Sequence, residues 1–96
     1  MPKLIIDIPA SLDKGDKMLV ETAVNRFSEI IINHDGITRA KEDGKFIIEW
    51  NKRVEDTIAE TEKKLRTLLL GEVCEFFPNN IDVVALVDKN ILYSSN

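Results

Sequence analysis

The chain has 96 residues, 44% hydrophobic and 31% charged, a composition typical of one soluble globular domain spanning residues 1–96. Its 17 acidic and 13 basic side chains give a formal net charge of −4, which disfavours binding to the phosphate backbone of double-stranded nucleic acid. The single cysteine excludes an internal disulfide, and no apolar run approaches the roughly 18 residues of a membrane span, so we expect a cytoplasmic protein with no membrane partner.

The first predicted elements are a short strand and an amphipathic helix. Residues 3–8 are rich in isoleucine and stop at Pro9, which has no N–H for a sheet ladder. Apolar residues then recur at steps of three and four, which predicts a helix over about residues 16–34. The stripe consists of Met18, Leu19, Val20, Ala23, Val24, Phe27, Ile30 and Ile31. Asp16 is the expected N-cap of this helix and Gly36 its expected left-handed terminator.

The dipeptide Asp43-Gly44 predicts a β-hairpin between residues 37–42 and 45–50, because it supplies the two positive φ angles of a type I′ turn. A two-residue loop also sets the register, since opposite residues are equidistant from the turn. The expected pairs are Ile37 with Trp50, Thr38 with Glu49, Arg39 with Ile48, and Lys41 with Phe46. The large apolar residues of the second strand therefore share one face of the sheet.

The second half of the chain predicts one helix and one strand. A helical stripe begins after Asn51, the expected cap, and Gly71 is its expected stop, with residues 73–77 as an alternative extension by one turn. The stripe consists of Val54, Ile58, Thr61, Leu65, Leu68 and Leu69. Residues 81–87 are β-branched and nearly continuous, which predicts a strand covered on both sides, followed by a short edge piece over residues 91–94.

The predicted order of elements is strand, helix, strand, strand, helix, strand. This is the order of a ferredoxin-like α+β fold, a small two-layer sandwich with two helices on one face of an antiparallel sheet. The residues after position 90 then add an extra C-terminal edge strand to that arrangement.

The sequence carries no signature of an enzyme, a metal site or a cofactor site. The only histidine, His34, lies at a predicted helix end, where such a residue more often contacts terminal carbonyls than performs chemistry. Cys74 lies among apolar residues and is expected to be a small buried hydrophobe. The close acidic pairs fall in the hairpin turn and at a helix start, so neither requires a cation. We therefore expect no catalytic residue, metal or cofactor.

The strand containing Phe46, Ile48 and Trp50 admits two interpretations. With Arg39 and Lys41 opposite, it is a candidate stacking platform for single-stranded nucleic acid. A domain of this size, however, needs its largest side chains in the core, and the aliphatic stems of the two basic residues can cover the hairpin tip. We favour the core interpretation.

The acidic surface of the second helix is the remaining candidate site, formed by Glu55, Asp56, Glu60 and Glu62. Such charges usually form a solvated face, but they can also present a negative patch to a protein partner with a basic surface. The sequence therefore predicts a small acidic interaction module, without catalytic activity, that occludes a surface of a larger macromolecule. Size and charge associate such chains with phage or mobile-element inhibitors of host or defence machinery that mimic nucleic acid.

Two alternatives come from other classes of protein. One is a ferredoxin-like homo-oligomer that binds a ligand or acts as an enzyme, with a pocket between sheet and helices or at a homodimer interface. The other is a structural assembly subunit. Both would use the apolar segment of residues 83–93, which is able to pair edge to edge with a second copy.

Overall fold

A computed structural model describes residues 2–31, 36–51 and 61–94 of the chain. In chain order the elements are β1 (Lys3–Asp7), α1 (Lys14–Ile31), β2 (Ile37–Glu42), β3 (Lys45–Trp50), α2 (Thr61–Phe76), α3 (Ile81–Lys89) and β4 (Ile91–Ser94). The strands form one antiparallel sheet in the order β2-β3-β1-β4. Each helical connection thus joins two strands that flank a third, which confirms the predicted α+β sandwich.

One face of the sheet is buried beneath the helices. Residues alternate between the two faces of a strand, and on β1 the alternate residues Leu4 and Ile6 are both fully buried. They join residues of the helices and of the other strands in one hydrophobic core. Its largest fully buried side chains are Trp50, Phe27, Leu4, Ile6, Ile31, Ile48, Leu69, Val20, Val24, Val73 and Val87.

The hairpin has the predicted turn and the predicted register. Asp43 and Gly44 both have positive φ, of 51° and 77°. The cross-strand partners are Ile37 with Trp50, Thr38 with Glu49, Arg39 with Ile48, and Lys41 with Phe46, as expected. A local turn therefore determines the pairing along the whole of β2 and β3.

The first helix differs from the prediction at its N-terminus. It begins at Lys14, and its N-cap is Asp13 rather than Asp16, because Asp13 Oδ1 accepts the backbone N–H of Asp16 at 2.8 Å. In the apolar stripe, Met18, Leu19 and Ile30 are exposed while the other members are buried. Gly36 has the predicted positive φ, and residues 32–34 of the predicted helix lie outside the described residues.

The second helix runs through Gly71 to Phe76, so Gly71 is not its stop and the alternative extension was correct. Leu65, Leu69 and Val73 are buried at steps of four, whereas Leu68 is 41% exposed. The predicted stripe members at positions 54 and 58 lie outside the described residues.

The prediction of a buried strand over residues 81–87 was wrong, because this segment begins α3. Asn80 caps the helix by accepting the backbone N–H of Val83 at 3.3 Å. Val83 and Val87, four residues apart, enter the core, whereas Ile81 is 80% exposed. A cap and a helical spacing of buried residues therefore outweigh the strand propensity of β-branched residues.

The fourth strand is instead the short segment predicted as an extra edge piece. β4 pairs with β1, so that Leu92 lies opposite Ile5 and Ile91 opposite Ile6. The described residues thus form three helices and four strands, where the sequence predicted two helices and five strands. None of the helices in these ranges is long and apolar enough to span a membrane.

Candidate functional site

The sequence predicts a partner-binding surface at Glu55, Asp56, Glu60 and Glu62. The first three lie outside the described residues, so the structure places only Glu62. Its Oε1 atom lies 2.8 Å from Nη2 of Arg66, the ion pair expected for an acid four residues before a base. The predicted role of these four residues in binding a partner stays a prediction.

Arg66 links α2 to the connection between α3 and β4. Its Nη1 atom lies 3.0 Å from Oδ1 of Asp88 and also donates to the backbone carbonyls of Asp88 and Ile91. Partial burial by itself lowers the pKa of Arg66, but hydrogen bonds with Glu62 and Asp88, together with their charges, raise it above the ordinary value. Glu62 thus pairs with the arginine that links α2 to the end of α3 and to β4.

The described structure does not assemble the side chains that sequence reasoning weighed for catalysis. His34 lies outside the described residues. Cys74 is exposed, contrary to the expectation that it is buried, because its neighbours Val73 and Phe77 occupy the inward positions. Within residues 2–31, 36–51 and 61–94, no group of three or more His, Cys, Asp or Glu side chains is placed to hold a metal ion.

The candidate platform on β3 is core, as favoured from the sequence. Ile48 and Trp50 are fully buried and Phe46 is 7% exposed, so the rings of Trp50 and Phe46 are not available for stacking with bases. Lys41 covers the hairpin end of this face, with Nζ 5.0 Å from the centroid of the Phe46 ring and 3.1 Å from Oε1 of Glu21.

An open groove of about 440 Å³ lies between α1 and the hairpin, lined in part by Ser28, Glu29, Arg39 and Lys41. Ser28 is buried, whereas the three charged residues are exposed. Lys41 pairs with Glu21 of α1, and the remaining two charged residues of the lining, Glu29 and Arg39, have opposite signs. The groove therefore presents no concentrated charge of either sign to a ligand.

The opposite face of the sheet carries a row of aliphatic side chains that none of the described helices covers. The strand register aligns Ala40, Ile47, Ile5 and Leu92 side by side across all four strands. We call these four residues the apolar row. Leu92 is 58% exposed, Ala40 is exposed, and Ile5 and Ile47 are partly exposed. None of the four belongs to the core cluster.

Four charged residues surround the two central isoleucines of the apolar row. Lys3 lies opposite Glu49 on one side of the row, and Asp7 lies opposite Lys45 on the other. The signs therefore alternate both across the strands and along each strand. We call these four residues the charge square. All four are at least partly exposed, and the set has no net charge.

Sequence reasoning missed this surface. The alternation of Phe46, Ile48 and Trp50 identifies the covered face, whereas the intervening Ile47 lies on the opposite face. The signal in the sequence is Ile5 at the centre of β1 and Ile47 at the centre of β3. Both lie on the face of the sheet where an alternating strand pattern normally places polar residues. The position of Leu92 was not predictable, because the sequence predicts the buried strand over residues 81–87 and only an edge piece over residues 91–94.

Comparisons with protein-family models, with curated proteins and with solved structures returned no match to this chain. The function must therefore be argued from the arrangement of its own residues.

Proposed function

We propose that this protein is a protein-interaction module that works through one face of its sheet. We call it the helix-free face, because none of the helices within residues 2–31, 36–51 and 61–94 covers it. The observation that carries the proposal is the apolar row. An antiparallel sheet covered on one side normally turns polar residues to water on the other. Here Ile5, Ile47 and Leu92 occupy the middle of that face, and covering them contributes about 25 cal/mol for each Å² of apolar surface removed from water.

The chemistry of the helix-free face favours a protein partner over nucleic acid. The charge square has no net charge and Glu42 adds one acidic residue to the same face, so no basic surface is available to the phosphate backbone. The residues that the register places beside the apolar row are Thr38, Glu42 and Ser94, and none of them is an aromatic side chain able to stack with bases. An aliphatic centre with charged residues around it is instead the usual anatomy of a protein–protein contact.

A second candidate is the partner with a basic surface that the sequence predicts for Glu55, Asp56, Glu60 and Glu62. The net charge of −4 supports it, because long-range attraction then favours a cationic partner. An inhibitor that occludes host or defence machinery is the more specific form of this candidate. The engagement of Glu62 with Arg66 leaves the other three carboxylates as the residues to test.

The principal proposal is tested with a tagged chain exposed to extract from the source cells, followed by mass spectrometry. Ile47→Asp places a charge in the centre of the apolar row, so it should remove the proteins that the parent retains. Ile81→Asp is the matched control, because Ile81 is 80% exposed and lies at the first turn of α3, where an acid is favourable.

Circular dichroism first establishes that both variants are folded. Loss of retained proteins with Ile47→Asp but not with Ile81→Asp supports the helix-free face as the binding surface. Equal retention by the parent and by Ile47→Asp would show that this face binds no other protein of the extract.

A further inference from the structure

We infer that the partner of the helix-free face is a second copy of this chain, packed face to face about a two-fold axis. The inference rests on the proposed function, because it names the partner of the same surface. Two sheets that pack in this way lie about 10 Å apart, with their aliphatic side chains between them. The charge square favours a second copy over a foreign partner.

A two-fold axis in the plane of the sheet has two simple orientations. If it runs along the apolar row, Lys45 faces Glu49 of the second copy and Lys3 faces its Asp7. If it runs along the strands between β1 and β3, Lys45 faces Asp7 of the second copy and Lys3 faces its Glu49. Every lysine meets a carboxylate in both orientations, because the signs alternate across and along the strands.

The isoleucines at the centre meet one another in the same two arrangements. The first axis stacks Ile5 on Ile5 and Ile47 on Ile47, and the second stacks Ile5 on Ile47. Binding to a different protein would not require that each lysine of this face be related to a carboxylate of the same face by a two-fold rotation. Self-complementarity of charge around an apolar centre is instead what a symmetric contact between identical chains requires.

The size of the face predicts a weak dimer. Four strands about 4.8 Å apart and five residues of about 3.4 Å each give a patch of roughly 19 Å by 17 Å. Two such patches cover a projected area of about 650 Å² in total, which is below the roughly 1,000 Å² of a stable specific interface and belongs with weak, transient contacts. The peripheral ion pairs add selectivity more than affinity. We therefore expect an equilibrium between monomer and dimer that depends on protein concentration.

Sedimentation equilibrium of the untagged chain, from about 1 µM to about 1 mM, measures that equilibrium directly. The parent and Ile81→Asp should both shift from monomer to dimer within this range, and Ile47→Asp should remain a monomer. A parent that stays monomeric throughout, or an Ile47→Asp variant that dimerises as the parent does, overturns the inference.

Charge exchange identifies the axis. Lys45→Glu should weaken the homodimer about tenfold or more, because the new carboxylate faces Glu49 or Asp7 of the second copy. Lys14→Glu makes the same change of charge at an exposed residue of α1 and should leave the dimer unchanged.

Mixing the Lys45→Glu chain with a Glu49→Lys chain should restore a heterodimer if the axis follows the apolar row. Mixing it with an Asp7→Lys chain should do so if the axis follows the strands.

Restoration in one of the two mixtures supports the inference, and restoration in neither overturns it. This failure is distinguishable from failure of the proposed function. If the parent is always monomeric but Ile47→Asp still loses proteins in the cell-extract experiment, the face binds a foreign partner and only the second copy is wrong. If Ile47→Asp changes neither experiment, the proposed function itself is wrong.

Discussion

The two faces of the sheet place chemically similar residues of the same strands in opposite environments. On β3, Ile48 is fully buried, whereas its neighbour Ile47 is partly exposed. On β1, Leu4 and Ile6 belong to the core and Ile5 between them does not. Residue type therefore does not distinguish the two faces. The three helices α1, α2 and α3 pack on one face of the sheet, and this packing decides which aliphatic residues are core and which are surface.

The covered face ends in an aromatic contact at the edge of the sheet. Trp50 is fully buried, and its ring stacks on Tyr93 of β4 with centroids 6.1 Å apart and planes inclined by 27°. Tyr93 itself is 45% exposed. Large rings thus contribute to folding on one face, while the other face presents only aliphatic and charged side chains at its centre.

The largest expected effect comes from the centre of the covered face. Trp50→Ala should lower the free energy of unfolding by about 3–5 kcal/mol, because it removes a fully buried ring and leaves a cavity. Thermal denaturation followed by circular dichroism should show a melting temperature lower by roughly 10 °C or more. A melting temperature close to that of the parent would contradict the assignment of Trp50 to the core.

The hairpin turn joins β2 to β3 in the register that determines both faces. Gly44→Val should destabilise the protein by about 1–3 kcal/mol, because a β-branched residue is strained at a φ of 77° although no atom lies within 4 Å of the added Cβ. Gly71→Ala is the control, since Gly71 lies inside α2 with open space around it, and this change should stabilise by up to about 1 kcal/mol. Denaturant titration measures both values. Equal stability of the two variants would exclude a backbone cost at the turn.

Truncation of a residue on the helix-free face should have a smaller effect on folding than truncation of Trp50. Ile47→Ala should lower the free energy of unfolding by less than about 1 kcal/mol, measured by denaturant titration at a concentration where the chain is monomeric. The same variant should weaken self-association, because apolar surface is lost from the apolar row. A loss of stability as large as that of Trp50→Ala would mean that Ile47 is core.

The smallest effect on stability is expected for the second candidate site. Asp56→Lys combined with Glu60→Lys, with Glu62 retained to preserve its pair with Arg66, changes the net charge from −4 to about 0 and should alter stability by a few tenths of a kcal/mol. If a basic partner meets these residues, its association rate should fall and lose its dependence on salt. Binding kinetics at two salt concentrations decide this. An unchanged rate at low salt would assign the acidic residues to solvated surface.

The hairpin was predictable because its determinants are local. Asp43-Gly44 sets the turn, and counting outward from the turn sets every pair along β2 and β3. The helix α3 was not predicted, because its valines suit a strand equally well and the pattern of burial within the segment is decided by packing. The available local signal was Asn80, a good N-cap that follows Pro78, interpreted only as the end of the preceding helix.

The sequence by itself determines the α+β class, the hairpin register and the burial of Trp50, because these follow from turn geometry and from strong hydrophobic periodicity over a few residues. The tertiary structure alone decides that residues 81–89 are helical and that β4 pairs with β1. It also decides that Ala40, Ile47, Ile5 and Leu92 form one row. The apolar row joins residues from four strands, and their alignment depends on long-range pairings that no local pattern specifies.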